Sequence, residues 1–225
     1  MANHNHVALL QSGVEIWNKW RRTSSIRPDL SGANLILADL NGIDFNGSNL
    51  IGANLIGADL RGANLSKAYM IKTKLMGADL RGANLMSAIM RGTDMAEADL
   101  SYANLNQTDL IDSTLTGVNF YSAYLIRAVL KSANLREASM IQANLTLADL
   151  YRTILISVNF REATLCQANL IEVVLNRAIL DYANLSEADL RGADLSTASI
   201  QSVVLDGADL RGTTLPQAVV TCPSL

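Results

Sequence analysis

A large apolar residue occupies every fifth position of this 225-residue chain from Leu30 to Leu215, across 38 positions without an insertion or deletion. We call this residue the centre of a five-residue unit. Residues five apart lie roughly 140° apart around an α-helix, so a helix cannot bury all the centres on one face. A single β-strand fails too, because an odd period places successive centres on opposite faces. The pattern therefore predicts short extended pieces joined by corners, which wind into a solenoid.

The other positions of the unit have compositions of their own. The residue two before the centre is small, as in Ala33, Ala53 and Ala58, which predicts a second inward position. The residue before the centre is Asp or Asn in most units, and these side chains readily bond backbone groups at turns. Every glycine except Gly13 lies two residues after a centre. Glycine best adopts the positive φ of a type II turn, so this position is predicted to be the corner.

No glycine lies between Gly117 and Gly192, and this stretch is richer in β-branched residues. We therefore expect a different turn type there. The sequence ADLRG recurs at a spacing of 20 residues, and VNF recurs at a spacing of 40. Both spacings predict four units in each coil of the solenoid.

The A(D/N)LxG pattern resembles the pentapeptide-repeat family over about five sixths of the chain. The resemblance implies an all-β fold, a right-handed quadrilateral β-helix in which the centre and the small residue face inward. About nine to ten coils would form a rod roughly 45 Å long at the ~4.8 Å spacing of paired strands. Residues 1–28 would be a tail with a capping helix, and residues 29–225 the β-helix. Many cyanobacterial proteins resemble this chain in the repeat and the short leading helix, and the family offers no common function.

The segment from about His6 to Arg22 carries apolar residues at spacings of three and four, which predicts an amphipathic helix. An open β-helix exposes leucines and unpaired edges in its first coil, so this helix is predicted to be the N-terminal cap. The alternative is a membrane-surface or partner-binding helix. That alternative depends on an excess of positive charge over Glu15, from Lys19, Arg21, Arg22 and Arg27.

The C-terminal end shows no comparable helix. Val220 and Leu225 keep the register, but little chain remains after the last complete units. One hypothesis is a two-fold homodimer through this end, and the alternative is a monomer with a frayed last coil.

The sequence predicts no catalytic, cofactor-binding or metal site, and hence no enzyme. Its only histidines, His4 and His6, are expected in a loose tail without a third ligand. The stacked aspartates are explained by the turn preference of the repeat, and no phosphate-binding loop of the GxxxxGK type occurs. Cys166 and Cys222 are expected to be free thiols, because no CxxC or metal-type spacing is present.

No apolar run reaches the ~18 residues that cross a bilayer, and no signal-peptide pattern begins the chain, so cytoplasmic residence is the expectation. Some pentapeptide-repeat proteins of the quinolone-resistance type resemble B-DNA in width and charge and occupy DNA gyrase. Residues 29–225 carry 20 acidic and 14 basic side chains, whereas DNA of the same length carries roughly 26 negative charges. This weak charge disfavours the DNA mimic as an alternative. Direct nucleic-acid binding is not expected either, because basic and acidic residues alternate.

Apolar residues also occur at positions that should meet water. With 20 residues in each coil, they form two neighbouring columns in the early coils, and this grouping predicts a contact surface for an unknown protein partner. The alternatives are that these residues simply favour extended backbone, or that the N-terminal helix covers them. The sequence thus predicts a non-enzymatic interaction or scaffold solenoid. Its candidate surface consists of Ile36, Ile56 and Met76 in one column, Ile51 and Ile71 in the other, and the adjoining Leu37.

Overall fold

The structure, a computed structural model, describes residues 2–217 and begins with two helices. Helix α1 spans His4–Gln11 and helix α2 spans Val14–Thr23. The expectation of one continuous helix is wrong, because Gly13 has a φ of 106°, which no helix accommodates. Asn3 caps α1, since its side-chain oxygen accepts hydrogen bonds from two backbone N–H groups in the first turn.

From Asp29 onward the chain forms a solenoid. The residue before each centre makes a parallel bridge with the residue 20 positions later, from the Asp29–Asn49 pair to the Asp194–Thr214 pair. Each coil therefore contains four units, as the recurrence of ADLRG predicts. We number its four sides from the unit centred on Leu30. Within residues 2–217 the pairing consists of these single bridges rather than longer strands, because the chain turns a corner after every centre.

Each unit hydrogen-bonds to the coils on both sides of it. The N–H groups of the centre and the corner residue donate to carbonyls of the next coil, and the N–H before the centre donates to the preceding coil. In the unit centred on Leu55 these three bonds measure 2.7, 3.0 and 2.9 Å, and the bond that closes its turn measures 3.1 Å. This regular pairing satisfies the backbone groups that a narrow rod could not otherwise bury.

The corner keeps one backbone conformation along the rod. From Gly32 to Gly212 the residue two after each centre has a positive φ, with the β-branched Thr197 as the exception. Corner residues other than glycine adopt this conformation as well, as Gln107 and Glu137 do with a φ of 60°. The expectation of a different turn type between Gly117 and Gly192 is therefore wrong. The left-handed conformation costs other residues about 1–2 kcal/mol, but the hydrogen-bonded coils on both sides hold every corner to the same path.

The core contains both inward positions of the unit. Every centre from Leu40 to Leu190 is buried. Where threonine replaces the small alanine, its hydroxyl donates to a buried carbonyl, as Thr73 does to Leu50 at 2.8 Å. The Asp or Asn before the centre lies outside and accepts a hydrogen bond from the N–H two residues later, as Asp29 does from Ser31 at 3.0 Å. These bonds give the repeated aspartates a structural role.

The ends of the rod are less well covered than its middle. Leu35 in the first coil is only partly buried, and so are Ile200, Leu205 and Leu210 in the last. Residues 218–225, which include Val220, Cys222 and Leu225, lie outside the described part of the chain. The hypothesis of a dimer through the C-terminal end is therefore still a prediction.

Candidate functional site

Helix α2 covers the fourth side of the first coil. The Trp17 side chain is completely buried, and its indole N–H donates to the Asp44 carbonyl at 2.8 Å. Its ring meets the Phe45 ring edge-on, with 5.5 Å between the ring centres. Trp17 therefore closes the end of the core and also pairs with an edge carbonyl.

Other polar side chains of α2 take the place of a missing coil. Asn18 donates to the Gly42 carbonyl at 2.9 Å and accepts from the Asp44 N–H at 2.8 Å. The Arg21 guanidinium donates to the Asn46 carbonyl at 2.7 Å. These contacts satisfy backbone groups that the first coil would otherwise leave unpaired, which is how natural proteins protect a sheet edge.

Helix α1 and the residue before it pair with the first side. His6 Nδ1 accepts a hydrogen bond from the Asp29 N–H at 3.0 Å, and the Asn3 N–H donates to the Asp29 carbonyl at 3.0 Å. The expectation that His4 and His6 lie in a loose tail is wrong, since both belong to α1. This role could not be predicted from the sequence, because the partner of His6 is a backbone group rather than a recognisable side chain.

The basic residues near the N-terminus are partly used within the molecule. Arg21 bonds the first coil, and the Arg27 guanidinium lies 3.7 Å from the centre of the Tyr69 ring. Lys19 and Arg22 are exposed. Neither helix is long and apolar enough to cross a membrane, a finding that covers the described residues.

The cap leaves one part of the first coil unpaired, which we call the open edge (residues 34–41). The N–H groups of Asn34 and Asp39 form no hydrogen bond with any residue in the range 2–217, and neither do the four carbonyls that would accept from a preceding coil. Those carbonyls belong to Asn34, Ile36, Asp39 and Asn41. The open edge spans the second and third sides, whereas the cap bonds lie on the first and fourth.

The predicted apolar residues stand at the two corners that border the second side. Leu37 is 76% exposed, Ile36 46%, Met76 43% and Ile51 40%. Ile56 and Ile71 are partly buried. Helices α1 and α2 leave the exposed members uncovered. We call the six residues together the apolar columns.

Leu37 contacts the next coil at Gly57. A Cβ atom added at Gly57 would lie 2.7 Å from Leu37 Cδ2. The leucine side chain therefore covers the bare backbone of the corner one coil later, and it still exposes most of its surface.

Charged side chains elsewhere on the rod pair with one another. In each ADLRG unit the arginine contacts the aspartate two residues before it, and Arg61 also lies 3.6 Å from Asp79 in the next coil. The Arg61 guanidinium hydrogen-bonds Asp59 and lowers the pKa of that carboxyl to about 2. This alternation neutralises the surface locally and does not favour a DNA mimic.

Replacing Arg61 with leucine should raise the pKa of Asp59 from about 2 towards its usual value of 3.8, because the carboxylate loses its main hydrogen-bond donor. A carboxyl whose pKa is lowered by folding stabilises the folded protein at pH values above its unfolded pKa, near 4. That stabilisation is lost as the pH falls from about 4 to about 2. Carboxyl NMR titration measures the change. Arg191→Leu is the matched control, since it should raise the pKa of Asp189 and leave Asp59 unaltered. An unchanged Asp59 in Arg61→Leu would contradict the pairing.

Metal ligands do not cluster in the part of the chain that the structure describes. No group of three His, Cys, Asp or Glu side chains in it could hold a metal ion. Cys166 is a free, partly buried thiol. Cys222 lies beyond residue 217.

Solenoid, helical cap and exposed apolar columns together define a capped β-solenoid of the repeat class. The family model "Pentapeptide repeats" matches the chain in eight copies, in segments that extend from residue 29 to residue 217. The chain therefore belongs to the pentapeptide-repeat family. A comparison with curated proteins gave no match.

Several solved structures are similar to this chain. HetL, a pentapeptide-repeat protein involved in heterocyst differentiation regulation in the cyanobacterium Nostoc sp. strain PCC 7120, is 27% identical, with 88% of this chain and 96% of HetL covered and a TM-score of 0.35. QnrB1, a plasmid-mediated fluoroquinolone resistance protein, is 21% identical, with 84% and 92% covered and a TM-score of 0.42. Rfr23 from the cyanobacterium Cyanothece 51142 is 32% identical, with 48% and 63% covered and a TM-score of 0.24.

Proposed function

We propose that this protein is a non-enzymatic interaction scaffold that binds a partner protein through the apolar columns. The observation that carries the proposal is the exposure of Ile36, Leu37, Ile51 and Met76 around one side of the early coils. Large contiguous apolar patches are uncommon on monomeric proteins and often mark a site of protein contact. The physiological role of the complex is a separate question.

The chemistry of the surface supports binding rather than catalysis. Several carboxylates that could serve as an acid or a base instead accept backbone hydrogen bonds, as Asp29, Asp44 and Asp99 do. Others pair with arginine. A catalytic carboxylate must be free to exchange a proton with substrate.

The remaining expectations belong to the same proposal. We take the coil to be right-handed, with about nine to ten turns at the ~4.8 Å strand spacing, and we place the boundary between the cap and the rod after residue 28. We also infer cytoplasmic residence and no direct binding of nucleic acid. A homodimer through the C-terminal end is compatible with partner binding at the opposite end of the rod.

An affinity pull-down from host lysate tests the apolar columns. The triple variant Ile36→Lys, Ile56→Lys, Met76→Lys places three charges on one column, so it should lose a partner that wild type retains. The matched control is Ile111→Lys, Ile126→Lys, Ile171→Lys, which changes the same turn position at partly buried isoleucines in later coils. Melting curves establish that both variants are folded.

Retention of the partner by wild type and by the control, with loss from the column variant, supports the proposal. Equal retention by all three proteins contradicts it. Empty eluates from all three proteins would contradict a stable partner complex and favour a structural or self-associating role.

A further inference from the structure

The open edge has the hydrogen-bonding pattern of a coil that lacks its neighbour. In the pairing rule of this rod, the N–H groups of a centre and of its corner residue donate to two carbonyls of the next coil. On the second side those two carbonyls belong to Asn34 and Ile36, and on the third side to Asp39 and Asn41. The N–H groups of Asn34 and Asp39 would each find an acceptor in the same missing segment. None of these six groups is bonded within residues 2–217.

A cleft beside the open edge has room for an apolar side chain. It lies between α1 and residues 34–40, has a volume of about 250 Å³, and is lined by Val7, Leu10, Leu35 and Leu40 among others. Leu35 is the only centre between Leu30 and Leu195 that is not buried. The volume lies below the ~300–1,000 Å³ typical of small-molecule pockets. The cleft therefore fits one side chain of a segment whose backbone pairs with the edge.

The first and fourth sides of the first coil differ from this edge, because the cap pairs with all of their outward backbone groups except the Ser31 carbonyl, which has no bond within residues 2–217. The cap supplies donors and acceptors to Asp29 and Asp44, as described above, but none to Asn34 or Asp39. Further clefts continue along the edge beside the junction of α1 and α2 and reach Asp39, Asn41 and Gly42. One of them shares Asp39 with the first cleft, so open space borders the edge on both the second and the third side.

We propose that the open edge binds an extended segment of the partner protein, which adds a parallel strand at residues 34–36 and places an apolar side chain in the cleft above Leu35. Strand addition gives affinity through main-chain hydrogen bonds and selectivity through the pocket for alternate side chains. This inference rests on the proposed function, because it names how the partner engages the same end of the rod. Strand addition depends on backbone groups, whereas binding through the apolar columns depends on side chains. An experiment can therefore contradict one proposal without contradicting the other.

The probe is a fluorescein-labelled peptide with the sequence of residues 53–62, ANLIGADLRG, which carries two units with the required donors. We expect saturable binding to the wild-type protein in fluorescence anisotropy. A peptide N-methylated at the amides that correspond to Leu55 and Gly57 cannot donate to the Asn34 and Ile36 carbonyls. It should bind at least about tenfold more weakly, a loss of 1.4 kcal/mol.

Two substitutions at one position separate the backbone from the side chain. Asn34→Pro removes the free N–H and should weaken peptide binding, whereas Asn34→Ala keeps the N–H and should bind as wild type does. Asn34→Pro should fold normally, because that N–H bonds nothing within the described protein. Asn54→Pro should lower the melting temperature, since the Asn54 N–H donates to the Ala33 carbonyl at 2.9 Å.

Absence of peptide binding, or equal binding of the N-methylated peptide, overturns the proposal even if Asn34→Pro fails to fold. A wild-type mass that doubles with concentration in light scattering, and stays monomeric in Asn34→Pro, overturns it in favour of a second copy at the edge. A partner that is captured by the triple-lysine variant but not by Asn34→Pro supports the open edge and contradicts the apolar columns.

Discussion

Leu100→Asp is expected to abolish the cooperative melting of the rod. Leu100 is completely buried in the middle of the solenoid, where its carboxylate replacement would find no partner and no water. Burial of an unpaired charge costs several kcal/mol or more, which is comparable to the whole stability of a typical domain. Each coil of a solenoid contacts only its neighbours, so a break in the middle also separates the two halves. Circular dichroism against temperature measures the loss.

Two further variants separate burial from chemistry. Leu100→Ala should lower the free energy of unfolding by about 2–5 kcal/mol, through lost transfer energy and a cavity. Leu147→Asp makes the same change at an exposed corner and should alter stability by less than about 0.5 kcal/mol. A melting curve of Leu100→Asp that matches wild type would refute the inward assignment of the centres.

The fold is predictable because one environment is sampled dozens of times. A single apolar residue carries little information, but 38 centres in one register leave only a coil with corners as a solution. The recurrence of ADLRG at 20 residues predicts the number of units in a coil, and the parallel bridges have that spacing. The family model matches this chain for the same reason, because it describes the same repeated positions.

The corners show where composition misleads. Glycine at some corners reveals that the position needs a positive φ, but its absence at others does not mean a different turn. Gln107 and Glu137 adopt the same conformation, because the ladders of the coils before and after them fix the path of the chain. The backbone preference of an individual residue has less influence on the corner than the hydrogen bonds between the coils.

The ends of the rod are least predictable, because nothing there repeats. The periodicity between Val7 and Trp17 indicates an amphipathic helix but cannot locate the break at Gly13. The bonds of His6 and Asn18 to first-coil backbone have no counterpart elsewhere in the chain from which they could be predicted. The open edge could not be predicted from the sequence for the same reason, since it consists of backbone groups that the cap does not reach.

The apolar columns could be identified as a set, although their exposure could not. Spacing by 20 residues places Ile36, Ile56 and Met76 in one column, but only the position of the cap determines which members remain open to water. Isoleucine also occupies the same turn position in later coils, for example at Ile111 and Ile171. Leu147 in a later coil is as exposed as Ile51, so what distinguishes the early coils is the grouping of Ile36, Leu37, Ile51 and Met76 around one side.

Trp17→Ala should open the N-terminal end of the rod. The change removes a completely buried ring from above Phe45 and the indole donor of the Asp44 carbonyl. Loss of a buried aromatic side chain costs about 3–5 kcal/mol, and here the lost ring is the largest buried side chain that the helices contribute to the end of the core. An uncovered first coil presents unpaired strand edges, which favour association with other chains. We therefore expect a lower melting temperature and a mass that grows with protein concentration in light scattering.

The size of the effect distinguishes a cap from a loosely attached helix. Trp17→Phe keeps an aromatic ring but leaves the Asp44 carbonyl without its donor, so it should cost about 1–3 kcal/mol. Ile16 is the neighbour of Trp17 on α2, but its side chain is exposed. We therefore expect Ile16→Ala to change the free energy of unfolding by less than about 0.5 kcal/mol. If Trp17→Ala instead melts like Ile16→Ala and stays monomeric, the helices do not protect the first coil. The open edge would then be no more accessible than the rest of that end, and the case for strand addition at Asn34 would lose its structural basis.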